Sequence, residues 1–158
     1  MADINLVKFE NNYFKFDLSR LIFWRKRRFD KSNLRILFVD NELMPVADNL
    51  KAAGWLVTKV NDIKNIDEEI VRNSQIIFVD YKGVGRIISP QMEGIVLIYT
   101  LKNAYGDAKR IILYSATRSL PNHIILEGHA DSADNKIRKN ADTSQFIKMI
   151  NDEMKLLK

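Results

Sequence analysis

The sequence predicts an α/β fold, a doubly wound five-stranded parallel sheet with helices on both faces. Three observations lead there. Short β-type runs alternate with longer runs of helical spacing from residue 34 to the end of the chain. The run QIIFVDY (75–81) is continuously apolar and β-branched, as suits a strand covered on both sides. Strand–helix–strand order, in turn, builds parallel sheets through right-handed crossovers.

The elements follow in order. LRILFVD (34–40) reads as the first strand, and LMPVADNLKAAG as a helix that Gly54 can terminate. WLVTKV (55–60) is the second strand, followed by a short helix in IDEEIVRN. QIIFVDY is the third strand. After a loop, IVLIYTLKNAYG (95–106) has helical spacing, and KRIILYSA (109–116) is the fourth strand. LPNHIILEG reads as a short helix with Pro121 in its first turn. ADSAD (130–134) supplies a short fifth strand. DTSQFIKMINDEMKLLK closes the chain as a helix, with Asp142 as N-cap and Phe146, Ile147, Ile150, Met154 and Leu157 on its apolar face. Residues 1–33 form an N-terminal extension to this domain of residues 34–158.

The composition suits one globular domain: 158 residues, 46% apolar and 28% charged. With no cysteine, disulfides, thiol chemistry and cysteine-ligated zinc are excluded. The apolar runs are far shorter than the roughly 18 residues of a membrane span, and the N-terminus lacks the order of a signal peptide. A cytoplasmic location is the expectation. The net charge of +5 is unevenly placed: residues 1–33 hold eight Lys or Arg against four acids. The body is close to neutral, which argues against a broad nucleic-acid face there. The segment LIFW followed by RKRR can lie on a membrane or on nucleic acid, or can dock on the domain through its aromatic residues. Docking is the favoured reading, a surface for a protein partner comes second, and membrane or nucleic-acid contact is disfavoured.

Two strands end in carboxylates: VDNE places Asp40 and Glu42 after the first, and FVD places Asp80 at the end of the third. Ser115 ends the fourth. In doubly wound sheets ligands bind at these carboxyl ends. Carboxylates gathered at one rim repel, and a proton, a lysine or a hard cation such as Mg²⁺ relieves them. Lys136, just beyond the expected fifth strand, is the candidate lysine. Together these groups could hold a phosphoryl group on a carboxylate, with Asp80 as nucleophile, Lys136 and a metal neutralising its oxygens, and Ser115 donating a hydrogen bond. An inert acidic turn at Asp40 and Glu42 and a solvated basic loop at NKIRKN are the plain alternatives.

VDNE, FVD, MEG, YSAT and HADSADNK, in that order over residues 34–157, resemble the receiver domains of two-component response regulators, which have a flavodoxin-like, CheY-like fold. The resemblance implies that Asp80 is the phospho-acceptor, that Ser115 senses the phosphoryl group and that Lys136 pairs with it. It also implies a Mg²⁺ pocket of Asp40, Asn41, Asp80 and Lys82, which Glu42 could supplement. The implied partners are a histidine kinase or phosphotransfer protein and an effector protein, with a homodimer as a further option. The implied chemistry is self-phosphorylation and dephosphorylation only, not turnover of a substrate.

Several positions depart from the family pattern. Its acidic pair is Asp40-Asn41 here, its aromatic switch residue is Ala133 and its proline after the lysine is Ile137. The connection from Lys82 to Glu93 is longer than in typical relatives, and loops of that length tend to be functional. KGVGR lacks the spacing of a phosphate-binding loop, so its glycines point to a turn or hinge. His123 and His129 read as surface or packing residues rather than ligands. Because the chain ends with its last helix, the expectation is a stand-alone response regulator phosphorylated on Asp80. The alternative is a pseudo-receiver, an interaction module that keeps the fold without the phosphate. A phosphoryl-transfer hydrolase fits less well, since no second general acid is evident.

Overall fold

The computed structural model describes residues 28–116 and 131–158. The helix expected over LPNHIILEG, the two histidines and the extension up to residue 27 lie outside the described residues. Strands β1 (Arg35–Val39), β2 (Leu56–Val60), β3 (Ile76–Asp80), β4 (Arg110–Ser115) and β5 (Asn135–Arg138) form one all-parallel sheet in the order β2-β1-β3-β4-β5. The helices are α1 (Pro45–Ala52), α2 (Glu69–Asn73), α3 (Glu93–Tyr105) and α4 (Thr143–Leu156).

The period-two geometry of a strand explains why the central runs are apolar throughout. Ile36, Phe38, Ile76, Phe78, Ile112 and Tyr114 pack with α1 and α4, against Leu50, Phe146 and Ile150. The alternate residues, Leu37, Val39, Ile77, Val79, Ile111 and Leu113, pack on the other side against Val71 of α2 and Ile95, Leu97, Ile98 and Leu101 of α3. The first face holds an aromatic cluster. The Phe38 and Phe78 rings stack with centroids 4.5 Å apart, and Phe146 lies 5.7 Å from Phe78 and 5.8 Å from Tyr114. Two residues beyond Phe38 and Phe78 on the same face stand Asp40 and Asp80, so this cluster floors the rim that carries the carboxylates.

Local signals set the helix ends. Pro45 opens α1 where a missing N–H costs nothing, and Gly54 closes its turn at φ +86°, donating to the Lys51 carbonyl at 2.8 Å. Asp142 and Gln145 form a reciprocal capping box on α4. The fifth strand differs from expectation: it is Asn135–Arg138, beginning one residue after ADSAD ends. Asp134 serves as its anchor instead. Its carboxylate accepts from the Ile111 N–H at 2.8 Å and pairs with Lys102 at 2.6 Å and Arg110 at 3.0 Å. Within β5, Ile137 packs against the aromatic face while Asn135, Lys136 and Arg138 are exposed, so the strand carries almost no apolar signal.

Because Phe78 is fully buried and stacked on Phe38, Phe78→Ala is expected to cost about 3–5 kcal/mol in a denaturant titration. Leu43→Ala, at a side chain almost wholly in solvent, should change stability by less than about 0.5 kcal/mol in the same assay.

Candidate functional site

The two acidic strand ends meet. Asp40 follows β1, with its N–H bonded to the Val60 carbonyl at 3.0 Å, and is fully buried. Asp80 ends β3 and is 4% exposed. Glu42 reaches back over the same rim, because the Asp40 carboxylate accepts the Glu42 N–H at 2.8 Å and turns the chain. Carboxylate oxygens of Asp40, Glu42 and Asp80 lie within 4.8 Å of one another, a set that could hold a metal ion.

The cation at their centre is Lys139. Its ammonium lies 2.7 Å from Asp80, 2.8 Å from Asp40 and 3.0 Å from Glu42, above the Tyr114 ring at 5.2 Å from the centroid. Lys136, the lysine expected there, sits elsewhere and pairs with Asp131 at 3.4 Å. The reason lies in the position of β5. Lys136 stands opposite Leu113, on the α3 side of the sheet and three residues before the rim, roughly 10 Å too low at about 3.3 Å per residue. Lys139 lies one residue past β5, where its N–H donates to the Ser115 carbonyl at 3.0 Å, extending the ladder to the rim. It shares the parity of Ile137 and so turns to the aromatic face, where Asp40, Asp80 and Tyr114 are. A strand end read one element too early therefore selects the wrong lysine.

Electrostatics follow from this packing. Burial raises the Asp80 carboxyl above the ordinary aspartate value, Lys139 opposes the rise through its hydrogen bond and charge, and Asp40 adds to it. For Lys139, burial pulls downward, but its close contacts with the Asp40, Asp80 and Glu42 carboxylates outweigh it and hold the ammonium above its ordinary value. Tyr114 is pushed up by burial and by the Asp40 charge. Asp40 Oδ2 is buried and close to the ammonium but accepts no well-directed hydrogen bond. A second cation would therefore find a ready ligand there.

The segment after Asp80 is fastened to the site. The Lys82 N–H donates to the Asp80 carboxylate. Gly83, at φ +82°, packs so tightly against the Asn41 amide that a Cβ would come within 2.6 Å of it. Glu93 accepts the Gly83 N–H at 2.6 Å and Arg86 Nε at 3.1 Å, while Asp62 accepts the Gly85 N–H at 2.6 Å. Glu93 adopts φ +46°, a strained conformation for a side-chain-bearing residue, held by these bonds. Gly94 lies directly on the Asp80 carbonyl, where a Cβ would come within 1.8 Å of the oxygen. This contact accounts for the glycine of MEG. Ser115 is buried at the end of β4, one residue beyond Tyr114, the register partner of Asp80. Sequence reasoning missed Lys139, Glu93 and Asp62. For Lys139 the one available signal is that it stands three residues before the Asp142 cap, where the chain must leave the sheet.

An all-parallel sheet in this order is the flavodoxin-like, doubly wound arrangement, a fold shared by solved receiver domains of response regulators. Solved structures with this fold match the chain with TM-scores near 0.6. A CheY-like response regulator receiver domain from Methanospirillum hungatei JF-1 is 21% identical, with TM-score 0.60, and the match covers 78% of this chain and 95% of that one. A response regulator from Thermotoga maritima is 15% identical, with TM-score 0.58 and coverage of 78% and 98%. The BeF3-activated N-terminal receiver domain of Klebsiella pneumoniae RstA is 18% identical, with TM-score 0.59 and coverage of 76% and 97%. No family model and no curated protein sequence matches the chain.

Two substitutions separate the lysines. In Lys139→Met the Asp80 carboxyl loses its cation and should titrate higher in a carbonyl-carbon NMR titration, whereas Lys136→Met should leave it unchanged. A carboxyl whose folded pKa lies above its unfolded value stabilises the fold at low pH and loses that contribution as pH rises through the folded value. The stability of Lys139→Met relative to the parent should therefore fall as pH rises through and above the parent's folded Asp80 value. Gly94→Ala should lose 3 kcal/mol or more, roughly the upper range for overpacking, while Gly106→Ala, with open space around its Cβ, should cost about 1–3 kcal/mol for its backbone at φ +51° and ψ −130° alone.

Proposed function

We propose that the chain is a receiver module of two-component signalling that takes a phosphoryl group on Asp80 and passes the change on through protein–protein contacts. The observation that carries this reading is the buried Asp80 carboxylate at the end of the sheet's middle strand, joined to Lys139 at 2.7 Å and beside a second buried aspartate. In the proposed step an Asp80 oxygen attacks phosphorus, the new O–P bond forms as the phosphohistidine N–P bond of a kinase or phosphotransfer protein breaks, and the imidazole keeps the electron pair. Lys139 would then hold a phosphoryl oxygen, in the role the sequence assigned to Lys136, and Ser115 would donate to another. Asp40, Asp80 and Glu42 would hold Mg²⁺, with Asn41 and Lys82 bordering the pocket. Bound there, Mg²⁺ supplies positive charge to the phosphoryl oxygens. Asp40 Oδ2, buried and in contact with the Lys139 ammonium without a well-directed hydrogen bond, fits that assignment. The chemistry is stoichiometric, so the module is not proposed as an enzyme with a turned-over substrate. A cytoplasmic setting with a histidine kinase upstream and an effector protein downstream belongs to the same proposal. Among the described residues no helix is long and apolar enough to cross a membrane.

A second reading, a phosphorylation-independent pseudo-receiver, is favoured by particular residues. Asn41 replaces a carboxylate of the family's acidic pair. Counted from Lys139, the position expected to be aromatic is Lys136 and the position expected to be proline is Asn140. Lys139 already neutralises part of the pocket without a ligand.

Amide NMR spectra with Mg²⁺, before and after addition of beryllofluoride, test the proposal. Shifts around Asp80, Ser115 and Lys139 that vanish in Asp80→Ala are the expected outcome. A spectrum indifferent to both additions leaves the pseudo-receiver standing. Catalytic turnover of a small phosphate ester with Mg²⁺, in place of single labelling, would move the chain to a hydrolase class.

A further inference from the structure

At the other side of the molecule β2 is the end strand of the sheet, and α2 is only five residues long, too short to cover it. Leu56 and Thr58, which alternate onto the α2 side, are left exposed, Leu56 to 43%. Beside them lies a groove of about 720 Å³. Arg35 and Leu56 mark the end of the groove where the strands begin, while Glu68, Glu69 and Thr58 lie further along it. Among the described residues the Arg35 guanidinium and the Glu69 carboxylate form no ion pair. Glu69 accepts only a long hydrogen bond from Asn73 at 3.4 Å, whereas Glu68 is engaged by the N–H groups of Lys64 and Asn65.

We propose that this edge is a homodimer interface, in which β2 of two copies pair antiparallel about a two-fold axis through Thr58. The backbone supports that centre. The Val60 carbonyl bonds inward to Asp40, so in a parallel strand Val60, Thr58 and Leu56 face β1. Val57 and Lys59 then direct their N–H and C=O groups outward. Antiparallel pairing centred on Thr58 sets Val57 of each copy against Lys59 of the other, so all four outward residues exchange hydrogen bonds. Thr58 then faces Thr58 as a non-hydrogen-bonded pair, Cα atoms about 4.5 Å apart, and Leu56 faces Val60. A two-fold interface must be self-complementary, and the bipolar groove meets that condition: its Arg35 end is laid on the Glu69 end of the second copy. Exposed sheet edges are prone to this pairing, and the one charged side chain on this edge, Lys59, turns to donate to Asn61 at 3.1 Å.

The test uses the full chain, and the absence of cysteine makes it clean. Sedimentation equilibrium should show a reversible dimer at sub-millimolar concentration. Thr58→Cys should form an intermolecular disulfide under mild oxidation, since the facing Cα separation lies within disulfide range, while Asn61→Cys, outside the paired stretch, should not. Arg35→Glu and Glu69→Arg should each raise the dimer Kd at least about tenfold, and the double reversal should restore it. A monomer at all concentrations overturns the proposal. So does a dimer that ignores both reversals, which would place the interface on another face. If the Thr58→Cys variant stays monomeric and its thiol resists alkylation, the proposal is also overturned, and the groove is assigned to the chain's own N-terminal segment.

Discussion

The rim of the sheet depends on one ammonium group among three carboxylates. At an effective dielectric of about 20, two like charges within 4.8 Å repel by roughly 3–4 kcal/mol, and each contact of a cation at 2.8 Å is worth about 6. Lys139 touches both buried aspartates, so its attraction exceeds their repulsion and leaves a margin toward the cost of desolvation. Without it, one aspartate would have to stay protonated or move outward. The same group ties down the end of β5 and the turn that carries Glu42. The rim is thus a single charge assembly built from three separate chain segments. Its members stand on rigid strand ends above the aromatic cluster of Phe38, Phe78, Tyr114 and Phe146.

The segment from Tyr81 to Glu93 extends this assembly outward. It is long, yet fixed at several points: Lys82 on the Asp80 carboxylate, Gly83 on Asn41, Gly85 on Asp62, and Gly94 on the Asp80 carbonyl. Both the carboxylate and the carbonyl of Asp80 therefore bear on this strap. A rearrangement at Asp80 large enough to move either one must be accommodated at Glu93, which is already in a strained conformation. Packed contacts of this kind tend to switch between discrete arrangements rather than deform gradually. The length of the connection, visible in the sequence, acquires meaning only through these pins.

The sheet was legible in the sequence because its central strands are buried on both faces and therefore apolar at every position. Ile76 to Val79 and Ile111 to Tyr114 leave no ambiguity about where the strands run. The carboxylates at their ends stood out against that background. β5 was not legible, for the opposite reason: as an edge strand with Ile137 its one packing residue, it carries neither an apolar run nor clean alternation. Asp134, which looks like part of a strand in ADSAD, is held in place by charges from α3 and β4 that are remote in sequence. The choice between Lys136 and Lys139 hinged on that boundary. The bonds of Asp62 and Glu93 to the strap link residues whose proximity exists only after the chain has folded.

Charge counting joins the two functional readings. Three carboxylates and one ammonium leave the pocket at −2. On the proposed reading, converting the Asp80 carboxylate to an acyl phosphate of about −2 takes the pocket to −3 without a metal, and to −1 with a divalent cation bound. In a site where Asp40 is fully buried and Asp80 nearly so, the first is far costlier than the second. On that reading, phosphorylation of this pocket is tied to cation binding. A second carboxylate at position 41, in place of Asn41, would add one more negative charge and raise the demand for a cation. Asn41 lowers that demand, and Lys139 meets much of what is left. The phospho-switch and the pseudo-receiver thus differ in one quantity, the affinity of Asp40, Glu42 and Asp80 for a divalent cation against the ammonium already among them.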